Sequence, residues 1–181
     1  MVVECLENPE ALISEQLYLL QGDLSMDDKI VKSFIDAAVK VLETMAFVTP
    51  TVGETVVWDQ EQSVGEVVGI VGLSNEEENI KGFMSIGFSE SSIVQIVSSM
   101  FGEEFNTIND DVREAAGEIA NMISGQVRQA LSNSGTKLQA SLPSVISGKD
   151  LTMQGKKPMI VVRFQVEKGP FELGICIDGL P

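Results

Sequence analysis

The chain has 181 residues, room for one domain or two very tight ones, and its 44% hydrophobic content excludes wholesale disorder. Against 27 Asp and Glu stand 12 Lys and Arg, a net charge of −15 that disfavours nucleic acid and anionic membrane surfaces as partners. There is no histidine, which excludes Ser–His or Cys–His nucleophilic machinery and any His-ligated metal. Cys5 and Cys176 are too few for a disulfide framework or a four-ligand zinc site. No EF-hand loop, phosphate-loop lysine or membrane-length apolar run occurs, so no metal site is expected. The start, Met1-Val-Val-Glu-Cys5, lacks the basic and apolar regions of a signal peptide, and the expectation is a soluble cytoplasmic protein.

Residues 1–28 carry seven acidic residues and neither Lys nor Arg. Asn8-Pro9 is a good helix start, and Leu12, Ile13, Leu17 and Leu20 share one face, so a short amphipathic helix is expected over 9–20. This acidic extension, 1–28, is set apart from a domain over 29–181. Ser25 is placed to cap a helix over 26–47, with Ile30, Phe34, Ala37, Ala38, Val41, Leu42 and Met45 as its apolar stripe.

Strands are expected at Thr55–Trp58 and Ser63–Leu73, then at Lys81–Phe88 beyond a polar turn, Asn75–Asn79. A helix over 90–101 follows, closed by Gly102, and a longer one over 109–132, capped by Asn109 with Asp110 and Asp111 complementing its dipole. Three more strands are expected at Leu142–Ile146, Met159–Val166 and Phe171–Ile177. The order predicts an α+β domain with a mostly antiparallel sheet. A faint repeat aligns Ala37–Glu43 with Ala115–Asn121, and loosely Ser63-Val64 with Ser144-Val145, consistent with two similar halves.

On the long helix the 3.6-residue period gathers Val112, Ala115, Ala116, Ile119, Ile123, Val127 and Ala130 on one side. The other side carries Glu114, Gly117, Glu118, Asn121, Gly125 and Arg128. Glu118 and Asn121, three apart, project together as an anionic acceptor and a neutral amide. Glycine costs about 1 kcal/mol against alanine inside a helix, so Gly117 and Gly125 suggest a surface approached closely by another. Spacing alone says little, since Glu76/Asn79 and Glu103/Asn106 repeat it in segments expected to be turns or loops.

The run Asn109-Asp-Asp-Val-Arg-Glu-Ala-Ala-Gly-Glu-Ile-Ala-Asn-Met-Ile-Ser-Gly125 resembles the signature helix of the CheC/CheX family of chemotaxis phosphatases. Gly82–Phe88 with Met100-Phe-Gly-Glu103 resembles the segment before that signature, and Leu142-Pro-Ser-Val-Ile-Ser-Gly148 the segment after it. The resemblance covers residues 29–180. It implies a CheC-like fold with two long pseudo-symmetric helices on one face of the sheet. It also implies a phosphatase acting on the aspartyl phosphate of a phosphorylated CheY-like receiver domain. In that family the Asn, here Asn121, positions a water for in-line attack, and the Glu, here Glu118, pairs with the partner's lysine. The Mg²⁺ is held by the partner, with no cofactor of the chain's own. Glu114, Gly117, Gly125 and Arg128 would form the surrounding partner-binding face.

CheC proteins often carry the Glu/Asn pair on both helices. Here the first helix has Lys40 and Glu43 at the matching places, which makes the chain more similar to CheX, with one site per chain, and implies a homodimer. The alternative from a different class is a non-catalytic interaction or scaffold module, because flagellar switch proteins have a similar middle domain that lacks the pair.

Overall fold

In the computed structural model, residues 27–58, 62–153 and 159–180 are described. The helix expected over 9–20 lies outside them.

Helix α1, Asp28–Met45, is capped by Asp27, whose carboxylate accepts the Lys29 N–H at 2.9 Å, so the cap sits two residues beyond Ser25. Its expected stripe is buried apart from Met45, which is 43% exposed. Strands β1, Thr51–Trp58, and β2, Gln62–Ser63, precede the hairpin of β3, Val67–Asn75, and β4, Ile80–Phe88. Helix α2, Glu90–Phe101, is capped by Ser89 and stopped by Gly102 in the left-handed region, φ 70°. Helix α3, Asp110–Asn133, starts with the Asn109 side chain accepting the Val112 N–H at 2.9 Å. Then come β5, Gln139–Ala140, β6, Ser144–Ser147, β7, Thr152–Met153, β8, Met159–Val166, and β9, Gly169–Asp178.

The expected Ser63–Leu73 strand is two pieces. Gly65, at φ 89°, turns the chain so closely over Phe88 that a Cβ there would collide with its carbonyl. Upstream, β2 pairs with β7 as a separate ribbon; downstream, β3 enters the main sheet.

The main sheet is antiparallel throughout and runs β1-β8-β9-β4-β3, with β5 and β6 both paired to the outer edge of β3. Exchanging β1 with β6, β3 with β8 and β4 with β9 leaves the order β1-β8-β9-β4-β3-β6 unchanged when read backwards. The sheet therefore has a pseudo-two-fold, with α1 leading one half and α3 the other. This places Ala37–Glu43 opposite Ala115–Asn121 as the repeat suggests. It does not equate Ser63-Val64 with Ser144-Val145, because the counterpart of β6 is β1.

Helices α1 and α3 pack against each other on one face of the sheet. Phe34, Leu42, Met84, Ile86, Ile119 and Ile123 are fully buried between the layers. Each such side chain contributes about 1.5–3 kcal/mol from water exclusion. On the other face a smaller cluster of Trp58, Val64, Val68, Met159 and Val161 is covered in part by Leu151 and Met153. No helix among the described residues is long and apolar enough to cross a membrane.

Candidate active site

The position of α3 follows from one close approach. At Gly69 of β3 an added Cβ would stand 2.8 Å from the Ala120 Cβ and 3.3 Å from the Ala116 carbonyl. Only a glycine on the strand and small residues on the helix allow this distance. With Ala116 and Ala120 against the sheet, the roughly 100° turn per residue sends Glu118 to the opposite side. Glu114, Glu118 and Asn121 are all exposed. Among the described residues the Glu118 and Asn121 side chains have no hydrogen-bond or ion-pair partner. Beneath them the buried Ser124 hydroxyl donates to the Asn121 backbone carbonyl at 2.8 Å.

The other four residues of the expected face separate. Gly125 is half-buried, and a Cβ there would meet nothing within 4 Å, so this chain's own packing does not require the glycine. Gly117 is buried, and a Cβ there would lie 3.0 Å from the Val145 Cγ2 of β6. The helical period places Gly117 on the open face; in the structure it lies instead at the seam where Val145 of β6 meets the helix. Arg128 is half-buried and keeps its Nε sealed from solvent without a hydrogen-bond partner among the described residues. Glu114 is exposed one turn before Glu118.

The look-alike pairs behave as expected. Glu76 and Asn79 make the β3–β4 turn, where the Asn79 N–H donates to the Glu76 carbonyl, and Glu103 and Asn106 lie between α2 and α3. On α1 the residues matching the pair are also exposed, but Lys40 is engaged: its Nζ donates to the Gln126 Oε1 of α3 at 2.9 Å. That cross-helix tie and the Val145 cover on Gly117 escaped the sequence reading, since both join residues far apart in the chain.

Chemically, the α3 face offers a carboxylate and a neutral amide, both exposed, on a helix packed closely against the sheet. It contains no nucleophile. Among the described residues no three Cys, Asp or Glu side chains converge as metal ligands. An amide can orient a water, and a carboxylate can receive a cation from an incoming surface.

A family model described as chemotaxis phosphatase CheX matches residues 67–165, which include all of α3. Among solved structures, the chain is similar to the chemotaxis protein CheX from Desulfovibrio desulfuricans, with 34% identity over 83% of this chain and 99% of that one, TM-score 0.75. The CheX from Vibrio vulnificus is 30% identical over 83% of this chain and 99% of that chain, TM-score 0.77. The CheX–CheY–BeF3–Mg²⁺ complex from Borrelia burgdorferi is 24% identical over 81% of this chain and 96% of that chain, TM-score 0.65. No match is found among curated protein sequences. With its antiparallel sheet, its paired helices and a family match running from β3 through most of β8, the chain belongs to the CheX family.

Proposed function

We propose that this protein hydrolyses the aspartyl phosphate of a CheY-type response regulator, using one site per chain within a homodimer. The observation that carries this reading is the exposed Glu118/Asn121 pair on α3, without side-chain partners among the described residues, beside Gly125, whose Cβ direction is open. The Borrelia relative supports it as a complex with CheY, Mg²⁺ and BeF3, a mimic of a carboxylate-bound phosphoryl group.

In this mechanism Asn121 enters the regulator's phosphorylation site and holds a water in line with the phosphorus. The water oxygen bonds to phosphorus as the bond to the aspartyl oxygen breaks. The regulator keeps a free aspartate carboxylate, inorganic phosphate leaves, and the water's protons pass to the phosphate and solvent. Glu118 takes the regulator's lysine and fixes the docking angle, while the partner supplies the Mg²⁺. Phosphoryl transfer needs orientation and charge stabilisation more than a strong base, so a neutral amide suffices. A carboxylate at Asn121 would repel the attacking oxygen and the phosphoryl group. The test is phosphate release from a phosphorylated CheY-type receiver at catalytic amounts of this protein. Accelerated multiple-turnover release supports the proposal; a rate equal to the receiver's own decay overturns it.

A further inference from the structure

We infer that Arg128 is a docking residue that pairs with an acidic side chain on the regulator, beside the phosphorylation site, and so selects which regulators are served. This rests on the phosphatase reading above and adds to it a specificity determinant.

Helix α3 has two cations. Arg113 is held in an ion pair by Asp110, near the helix start. Arg128 has no ion pair or hydrogen bond among the described residues, although its Nε is sealed from solvent. A buried guanidinium N–H without an acceptor costs free energy in the uncomplexed chain. Its terminal nitrogens are not sealed in this way, so the stem is held against the protein while the cationic end stays accessible. A stem already held in place loses less freedom on binding than a free surface lysine.

Position makes this charge relevant to the site. Arg128 stands seven residues after Asn121, about two turns or 10 Å along the axis and only some 20° around it. Helical side chains lean toward the N-terminus, which from Arg128 is the direction of Gly125 and Asn121. Gly125 puts no side chain there, and its Cβ direction is open. Asn121 and Arg128 thus bracket a bare stretch of helix. A surface laid across that stretch with its phosphoryl group at Asn121 brings its flank to Arg128. An arginine fork recognises a carboxylate best. In a chain of net charge −15, which otherwise repels acidic partners, a local cation on this face matters for both encounter rate and choice of partner.

The experiment uses full-length protein and compares Arg128→Glu, Arg128→Gln and Arg128→Lys. It measures steady-state phosphate release and, by calorimetry, the affinity for a receiver loaded with beryllofluoride and Mg²⁺. Circular dichroism melts verify folding, and Arg128→Gln, the milder change, keeps the test valid if Arg128→Glu does not fold. The expected result is KM and Kd raised about tenfold or more for Arg128→Glu, less for Arg128→Gln, with kcat nearly kept. Arg128→Lys restores most of the affinity, and the salt dependence of binding is shallower without the charge. Unchanged KM and Kd in folded Arg128→Glu and Arg128→Gln proteins overturn the inference. So does an unchanged KM with loss of the dimer, which assigns the guanidinium to a second copy. Neither result touches the phosphatase reading, which stands or falls with Asn121.

Discussion

Helices α1 and α3 lead the two halves of a pseudo-two-fold sheet and pack side by side, yet their outer faces differ in chemistry. On α3 the equivalent positions hold Glu118 and Asn121, both exposed and without a partner among the described residues. On α1 they hold Lys40, which donates to Gln126, and Glu43. One helix offers a carboxylate and a neutral amide to an incoming surface; the other offers a lysine already engaged and a carboxylate. A fold with two equivalent helix faces thus carries the proposed carboxylate and amide pair on only one of them.

The largest expected effect comes from making α3 like α1. Glu118→Lys combined with Asn121→Glu puts a cation before the regulator's lysine and an anion before its phosphoryl group. Phosphate release should fall by at least about 10²–10³-fold, by analogy with the loss of other preorganised polar groups. Both side chains are exposed, so the melting temperature should barely move. The matching change on the other helix, Lys40→Ala, should leave turnover unaltered and shift stability by no more than about 0.5 kcal/mol. Similar losses from both helices would break the contrast.

The two glycines sharpen it further. Gly117→Leu drives a side chain into Val145, and overpacking of this kind costs about 1–3 kcal/mol, read in denaturant melts. Gly125→Leu meets open space and gains helix propensity, so stability should hold or rise slightly while affinity for the regulator falls. The reverse assignment, a destabilised Gly125→Leu and a silent Gly117→Leu, would contradict this account of the face.

How much of this was legible in the sequence depends on the range of the forces involved. The helices and the long hairpins were, because caps such as Asn109 and Ser89 and the apolar period are local signals. The two-residue strands β5 and β7 were not, since they exist through pairing with β3 and β2 and carry no period of their own. The break at Gly65 depends on Phe88, and the role of Gly117 on Val145, each more than twenty positions away. Glu118 and Asn121 were legible as a pair on a helix. Their spacing alone also fits Glu76/Asn79, which makes a turn.

The smallest expected effect lies on the face of the sheet opposite α1 and α3. Arg163 bridges Glu54 and Glu172, with its Nε 3.2 Å from Glu172. Burial pushes the Glu172 carboxyl above its ordinary value, although Arg163 pulls it the other way. A raised folded-state pKa means the folded protein holds this proton more tightly than the unfolded chain. Its contribution to stability is therefore full below the unfolded value and lost as pH rises through the folded one. Melts of Glu172→Gln between about pH 4 and pH 7 should lack that decline. Phosphatase turnover should be unaffected; a turnover loss would mean that the two faces are coupled.

The central claim is that α3 acts through the amide of Asn121. Its most direct test is phosphate release from a phosphorylated CheY-type receiver by Asn121→Ala, beside the unaltered protein. The variant should fold and still bind the beryllofluoride-loaded receiver while the barrier to phosphate release rises by roughly 2–4 kcal/mol. A folded Asn121→Ala protein that releases phosphate at the full rate would contradict it.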